Sequence, residues 1–370
     1  MKQILFCYKE ESKLKVRYTT LTDVFIPVED VVSPQKTSII LPKTNKIELY
    51  DIVIIRDNST AKIEYIGYID TLTNKTITEI SCYPLINIFD NDFVLDQLFQ
   101  KGINQDGTSV DVDVDVSVWL TNQIKRAFVD TDDKLQAIPF FVRNRTKKPV
   151  LYKRTLETAN LFEVYTDLFL NTGIYIKFEE IEFDVDEVKT IYCDIYCNTD
   201  ENPYMIREDY PTIQSVDIVD NTFTSYNKII ATEELEEGIT RQPQRYYFYL
   251  LNDNSITTDA TDSRRIKQVR SKEITFSFDG KSTNQEVTEA LILAVCNELQ
   301  ATEYNLQITI SMLKNENVKV YRSVEFVANN GTTYHSNVTK IQVLNEKQVI
   351  VTLGALRNSL TDFKKKIEVI

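Results

Sequence analysis

Hydrophobic and polar positions alternate on a short period along much of the chain, most plainly in the stretch Leu49–Leu85. Two apolar runs, Asp51–Arg56 and Ile63–Ile69, flank the polar tip Asp57-Asn58-Ser59-Thr60, and a third, Thr76–Cys82, follows the tip Thr73-Asn74-Lys75. Short runs rich in Val, Ile and Tyr, cut by Asn, Asp, Ser and Thr, predict a three-stranded antiparallel meander. In the middle run Ile63, Tyr65 and Gly67 alternate with Glu64, Ile66 and Tyr68, so neither face is purely polar. A strand of that kind is covered on both sides, as in a small barrel or an assembly interface.

Elsewhere the period changes. KLKVRYTTLTDVFIPV and TSIILP extend the β pattern back toward the N-terminus, and the β region ends near residue 92. Phe93, Leu95, Leu98 and Phe99 have helical spacing. Residues 111–116, DVDVDV, alternate strictly, with the valines on one face and Asp111, Asp113 and Asp115 on the other. Ser117 offers an N-cap to a helix carrying Leu120, Ile124, Ala127 and Phe128 on one stripe. A second helix is predicted from about Leu156 to Leu170, stopped by Asn171-Thr172-Gly173. Strands resume with IYIKFEEIEF and IYCDIYC, then SVDIVDNTFTSYNKIIATEE after Pro211, and the aromatic RYYFYLL. Capping boxes at Ser282-x-x-Gln285 and Thr283-x-x-Glu286 start a helix running through Leu291, Val295 and Leu299. LQITISML, VKVYRSVEFVA, TYHSNVTKIQVL and QVIVTLG read as closing strands, with a hairpin turn at Asn329-Asn330-Gly331. The end, GALRNSLTDFKKKIEV, is amphipathic and charged.

The pattern implies an α+β, mainly β chain. At 370 residues it exceeds one core and calls for two or more units. No apolar run is long enough for a membrane span, and the apolar core of MKQILFCYKEESK is too short for a secretory signal. Cys7, Cys82, Cys193, Cys197 and Cys296 are scattered and odd in number. Cys193 and Cys197 share a strand face, but with His335 as the single histidine they lack a second ligand pair for zinc. Buried reduced thiols are the expectation, fitting a cytoplasmic folding environment. The formal charge of −13 argues against a free-standing nucleic-acid binder. The local basic tracts Arg143–Lys148 and Lys364–Lys366, and the group Arg264, Arg265, Lys267 and Arg270, read as solvated faces or pairing groups.

Candidate chemistry is sparse. Three carboxylates at Asp111, Asp113 and Asp115 can invite calcium, but the glycine and glutamate of a calcium loop are missing, which favours a charged edge strand. The calcium question stays open on sequence. His335 lacks a nucleophile partner in any recognisable motif, and there is no Walker loop or GxGxxG. No catalytic, cofactor-binding or metal-ligating residue is assigned, and no cofactor is expected. Tyr246, Tyr247, Phe248 and Tyr249 can stack on bases or sugars, but a packed strand is the simpler reading.

Two stretches carry a family resemblance: LYDIVIIRD, IEYIGYIDTLT and TEISCYPLINIFD near the start, and VEFVANNGTTYHSNVTKIQV with VTLGALRNSLTDFKKKI near the end. Together they resemble the tail hub proteins of long-tailed bacteriophages, the N-terminal regions of tail-associated lysins, which are similar to the central baseplate hub of contractile tails. NLFEVYTDLFLNTGIYIKFEE and SYNKIIATEE look like the middle of that family. The resemblance implies two related β-barrel-like domains with two inserted α+β pieces. On this chain those fall at 1–92 for the first barrel-like domain, 93–210 for an α+β domain, 211–235 with 306–356 for the second barrel-like domain, 236–305 for an inserted α+β domain, and 357–370 for a tail.

It further implies a homotrimer in the virion, assembled in the host cytoplasm. Its two barrel-like domains per chain make a pseudo-sixfold ring between a sixfold tail tube and a threefold tip. The implied partners are a distal tail protein, a tape measure protein, a receptor-binding protein, and DNA that passes through a channel without specific binding. Many relatives continue into a fibre or a peptidoglycan-cleaving domain; this chain stops soon after Lys366, so a non-enzymatic hub is the expectation. A carbohydrate-cleaving tail enzyme and a receptor-binding module are the alternatives.

Overall fold

The computed structural model of the chain describes residues 1–22, 29–96, 100–103, 109–112, 114–152, 159–220, 226–235, 241–251, 256–266, 269–277, 291, 294–295, 299, 305–345 and 347–356. The N-terminal part is built from β1 (Lys2–Glu10), β2 (Lys13–Thr22), β3 (Glu29–Asp30), β4 (Thr37–Pro42), β5 (Ile52–Asp57), β6 (Ile63–Asn74) and β7 (Ile77–Pro84). β1 pairs with β2 on one side and β5 on the other, and the order continues β6, β7, β4, antiparallel throughout. The meander expected over 49–85 is therefore present as β5–β7. Its middle strand is covered on both faces, as expected: Tyr65 and Ile69 enter a core with Phe6, Val53 and Ile80, while Ile66 enters a second core behind the sheet.

That second core is roofed by the middle of the chain. It comprises β8 (Gln100–Ile103), β9 (Ser109–Val112), β10 (Val114–Asp115), α1 (Val116–Phe128), β11 (Phe140–Asn144), β12 (Leu151–Tyr152), α2 (Leu161–Thr172), β13 (Ile174–Lys177), β14 (Ile181–Asp184) and β15 (Glu187–Cys197). β15 runs parallel to β11 and antiparallel to β13 and β14, and its Glu187 and Val188 pair with Lys15 and Leu14 of β2. Leu120, Ile124, Leu168 and Phe169 of the two helices bury fully against this sheet, each worth about 1.5–3 kcal/mol.

Several local expectations change here. The cap of α1 is Asp115, not Ser117: its Oδ1 accepts from the Ser117 N–H (3.0 Å), the Ser117 hydroxyl (2.7 Å) and the Val150 N–H (3.2 Å). The alternation of DVDVDV ends at Asp115 because Val116 already turns inward as the first helical residue. α2 is capped by Asn160, whose Oδ1 accepts from the Phe162 and Glu163 N–H groups at 3.0 Å; the expected start near Leu156 lies outside the described residues. Gly173 ends α2 at φ +74°, as its sequence context predicts. Phe93–Asp96 is not helical: the Phe93 N–H donates to the Ala159 carbonyl (2.9 Å), and the Trp119 indole donates to the Asp96 carbonyl (3.0 Å). Residues 97–99 of that run lie outside the description.

The C-terminal part contains β16 (Tyr204–Arg207), β17 (Ile213–Asp220), β18 (Lys228–Glu234), β19 (Arg245–Leu250), β20 (Ile256–Thr257), β21 (Ser271–Ser277), β22 (Asn305–Leu313), β23 (Ser323–Val327), β24 (Thr333–Val343) and β25 (Gln348–Leu356). One sheet has the order β16-β23-β24-β25-β22-β17, and β3 reaches over from the N-terminal part to pair with Lys340 and Ile341 of β24. β18 does not join it. It sits between β19 and a parallel β21 in a separate sheet, so the stretch expected as one half of the second barrel divides between two sheets. Leu291, Ala294, Val295 and Leu299 are helical, and the three larger residues pack on this smaller sheet; the capping boxes at Ser282 and Thr283 and residues 357–370 lie outside the description. Val318–Arg322, expected as strand, is not strand: the chain turns at Val320 and Tyr321, where Tyr321 adopts φ +74°. The hairpin turn at Asn329-Asn330-Gly331 forms as predicted, with Gly331 at φ +82°. The fold is α+β and mainly β.

The two large sheets repeat one layout. β5-β6-β7-β4 and β23-β24-β25-β22 have the same order in space, the same order along the chain and the same antiparallel directions. The registers match from Ile52 to Ile55: Val53 lies opposite Gly67 as Val324 lies opposite Ser336, and Ile55 opposite Tyr65 as Phe326 opposite Tyr334. Ile39 lies opposite Ile80 as Ile310 opposite Val351. β6 has an unpaired extra residue opposite β5, Glu64, that β24 lacks, and both long strands carry one opposite the third strand of the unit, Asp70 in β6 and Thr339 in β24. In each case four pairs separate that bulge from the hairpin turn, Thr71–Asn74 in the first and Lys340–Val343 in the second. The inward residues correspond as well: Ile69 with Val338 before the bulge, Leu72 with Ile341 after it.

Candidate assembly surface

His335 is exposed on β24 opposite Glu325, at the position that Ile66 occupies in the first sheet. Cys7, Cys82, Cys193 and Cys197 are free and buried. Burial, with a smaller contribution from Asp51 and Asp70 respectively, pushes the Cys7 and Cys82 thiols up to about 12. Cys193 is also raised, first by burial and then by Asp194. Cys296 and Asp113 lie outside the described residues, and Asp115 is engaged as a helix cap. Among the described residues no group of three His, Cys, Asp or Glu side chains is arranged for a metal ion, and no helix is long and apolar enough to cross a membrane.

Among the described residues of the basic tracts, Arg143, Arg145 and Arg264 are tied into ion pairs, while Lys267 and Lys364–Lys366 lie outside the description. Arg143 makes a forked contact with the buried Asp194, reaches Glu180 at 2.6 Å, and lies over the Tyr192 ring at 3.9 Å. Arg145 meets the same Asp194 at 3.3 Å. Arg264 pairs with Asp262 at 2.8 Å, and Arg265 covers the Tyr249 ring at 3.8 Å. The aromatic run is half packed: Phe248, Tyr249 and Leu250 are buried, while Tyr246 and Tyr247 are exposed.

What remains open is a surface on the first repeat. Ile40 on β4 is 64% exposed, Ile77 on β7 lies across from the neighbouring Pro42, and among the described residues no strand pairs with the outer edge of β4. Its counterpart β22 is covered on that side by β17. Tyr50, just ahead of β5, is 76% exposed and holds φ +68°. Its counterpart ahead of β23 is Tyr321, at φ +74°. The Tyr50 N–H donates to the Ile69 carbonyl and the Tyr321 N–H to the Val338 carbonyl, both at 2.9 Å. Tyr321 is packed, however: its ring stacks on Tyr175 at 4.7 Å and meets Phe169 edge-on at 5.8 Å.

Sequence reasoning gave no weight to Tyr50 or Tyr321. A left-handed tyrosine has no sequence signature, and the only available hint was that each stands just before an apolar run.

No family model matches the sequence, and no curated protein does. Among solved structures, the chain is similar to prophage tail protein gp18 from Listeria monocytogenes EGD-e, at 12% identity and a TM-score of 0.45, over 100% of this chain and 98% of that one. It is similar to the 43 kDa tail protein of prophage MuSo2 from Shewanella oneidensis at 9% identity and a TM-score of 0.48, over 96% and 98% of the two chains. It is also similar to a chain of the phage P2 baseplate in its activated conformation, at 10% identity and a TM-score of 0.48, over 97% and 100%. These similar structures are phage tail and baseplate proteins.

Proposed function

We propose that this chain is a structural hub protein at the tip of a phage tail, a homotrimer that closes the tail tube and links it to host-recognition parts. The internal repeat carries the reading. An adaptor between a sixfold tube and a threefold tip needs one chain that presents two similar units. Three chains bearing β5-β6-β7-β4 and β23-β24-β25-β22 present six. The family resemblance of the sequence points the same way.

In this reading the chain works as four units, 1–92, 93–210, 211–235 with 306–356, and 236–305, with the strand pairing of β18 moving the inserted unit's start back to Lys228. The tail tube side meets a distal tail protein and a tape measure protein, and the distal side a receptor-binding protein. DNA passes through the ring without specific binding, since an acidic lining gains no counterion-release affinity for phosphates. The hub has no catalytic role.

Light scattering on the purified chain at micromolar concentration tests the trimer. Three times the monomer mass of 42.9 kDa is expected, and a folded monomer would count against the reading. Cell-wall release by the same preparation, lost on a single carboxylate substitution, would replace the hub with an enzyme.

A further inference from the structure

Tyr50 is strained without a visible return. A non-glycine residue with left-handed backbone costs about 1 kcal/mol or more, and such strain persists where surrounding structure or function requires it. Tyr321 shows what the requirement is in the second repeat, where its ring lies flat on Tyr175. The edge of β24 just beyond it is also covered: Glu29 and Asp30 pair with Ile341 and Lys340, the Val31 N–H donates to the Thr339 carbonyl (2.9 Å), and Lys340 meets Asp30 at 3.0 Å. The same edge in the first repeat is Asp70–Leu72 of β6, and among the described residues no strand lies on it. In one copy of the repeat β13 and α2 cover the tyrosine and β3 covers the strand edge. The other has the same tyrosine, in the same backbone conformation, exposed beside an edge on which no strand lies among the described residues.

We propose that Tyr50 and the Asp70–Leu72 edge form a docking site for a second copy of this chain. The repeat also indicates which part of that copy docks. β3 lies between β2 and β4 of the first repeat and crosses to the second. In the second repeat the stretch that precedes β22, the counterpart of β4, follows β17 and carries the β18–β21 sheet. In a closed ring of alternating repeats, the first-repeat connection reaches the second repeat of its own chain. The second-repeat connection then reaches the first repeat of the next chain, by strand addition at the β6 edge with the Tyr50 ring as anchor. The proposal rests on the trimeric reading above.

The test uses the full chain with a photo-crosslinking phenylalanine analogue at position 50, together with Tyr50→Asn and Tyr50→Asp. Asn and Asp tolerate left-handed backbone, so the variants relieve strain while removing the ring. The expected result is a trimer whose position-50 crosslinks map to residues 228–277 of another copy. Amide exchange over residues 70–74 should be slower in the trimer than in dissociated chain, and the variants should associate at least about tenfold more weakly with their monomer melting temperature kept or raised. A trimer with fast exchange at residues 70–74, crosslinks elsewhere and unchanged association in Tyr50→Asn overturns the docking site and leaves the hub standing. A wild-type monomer overturns both.

Discussion

The amide of Asn198 donates to the side-chain oxygen of Asn337 at 2.8 Å and to the Tyr321 carbonyl at the same distance. One buried side chain at the end of β15 thereby joins the middle of the chain to β24 of the second repeat. Replacing it should loosen that junction. Asn198→Ala leaves a carbonyl and an amide oxygen without their donor, and the expected loss is about 1–3 kcal/mol in a urea titration. An unchanged midpoint would show that water replaces the amide at no cost.

Gly173 and Gly331 both hold left-handed backbone, but in different surroundings. A Cβ at Gly173 would stand 1.9 Å from Asn198 Oδ1, whereas one at Gly331 would meet nothing within 4 Å. Gly331→Ala should cost only the backbone preference, about 1 kcal/mol. Gly173→Ala should cost clearly more and disturb the Asn198–Asn337 contact as well. Equal losses in thermal melts of the two variants would contradict this ordering.

Acid sensitivity should come in part from Glu233. The Arg241 guanidinium grips both its oxygens, one at 2.6 Å, and the Gln244 N–H adds a 3.0 Å bond, holding the carboxyl at about 2 against an ordinary 4.5. A carboxyl depressed on folding stabilises the protein above its unfolded value. That contribution is lost as pH falls from about 4.5 toward 2. Arg241→Gln should flatten the decline of melting temperature across this window and lower the plateau above it. Asp51 acts in the opposite sense. Burial raises its carboxyl, although the Glu48 N–H and Arg17 pull it down, so its contribution is full below 3.8 and fades as pH rises through its folded value. Asp51→Asn should remove that component while keeping an acceptor for the Glu48 N–H.

Thiol reactivity should report unfolding rather than native exposure. Cys7, Cys82 and Cys193 are buried with raised pKa values, so they should resist a disulfide reagent at pH 8 and react at the rate of global opening. Labelling of these three within seconds in native buffer would contradict the packing described.

Local features of the fold were legible where one residue type dictates one geometry. The β5–β7 meander followed from period-two alternation, the end of α2 from Gly173, and the β23–β24 hairpin from Asn330-Gly331. Local competition hid others. Asp115 and Ser117 are both good caps, and only the inward turn of Val116 selects Asp115. Phe93–Asp96 has helical spacing, yet its groups are taken by Ala159, Gln123 and Trp119 from distant parts of the chain. The parallel pairing of β18 with β21 joins strands far apart in sequence and leaves no local trace. The candidate surface was legible only as a covered meander. Its decisive residue, Tyr50, owes its meaning to a comparison with Tyr321 that needs the register of both sheets.

The bulges at Asp70 and Thr339 have a consequence for how this chain tolerates change. A single added residue switches which alternate side chains point inward, so Ile69 and Leu72 share a core that strict alternation would deny one of them. Asp70 and Thr339 have nothing chemical in common, and Tyr65 and Tyr334 are among the few identical residues at matched positions. What the two copies keep is a count: the number of residues from bulge to turn. Substitution along β6 and β24 is absorbed one side chain at a time, but deleting one residue inverts every position beyond it. In these strands length, more than composition, is the heritable instruction.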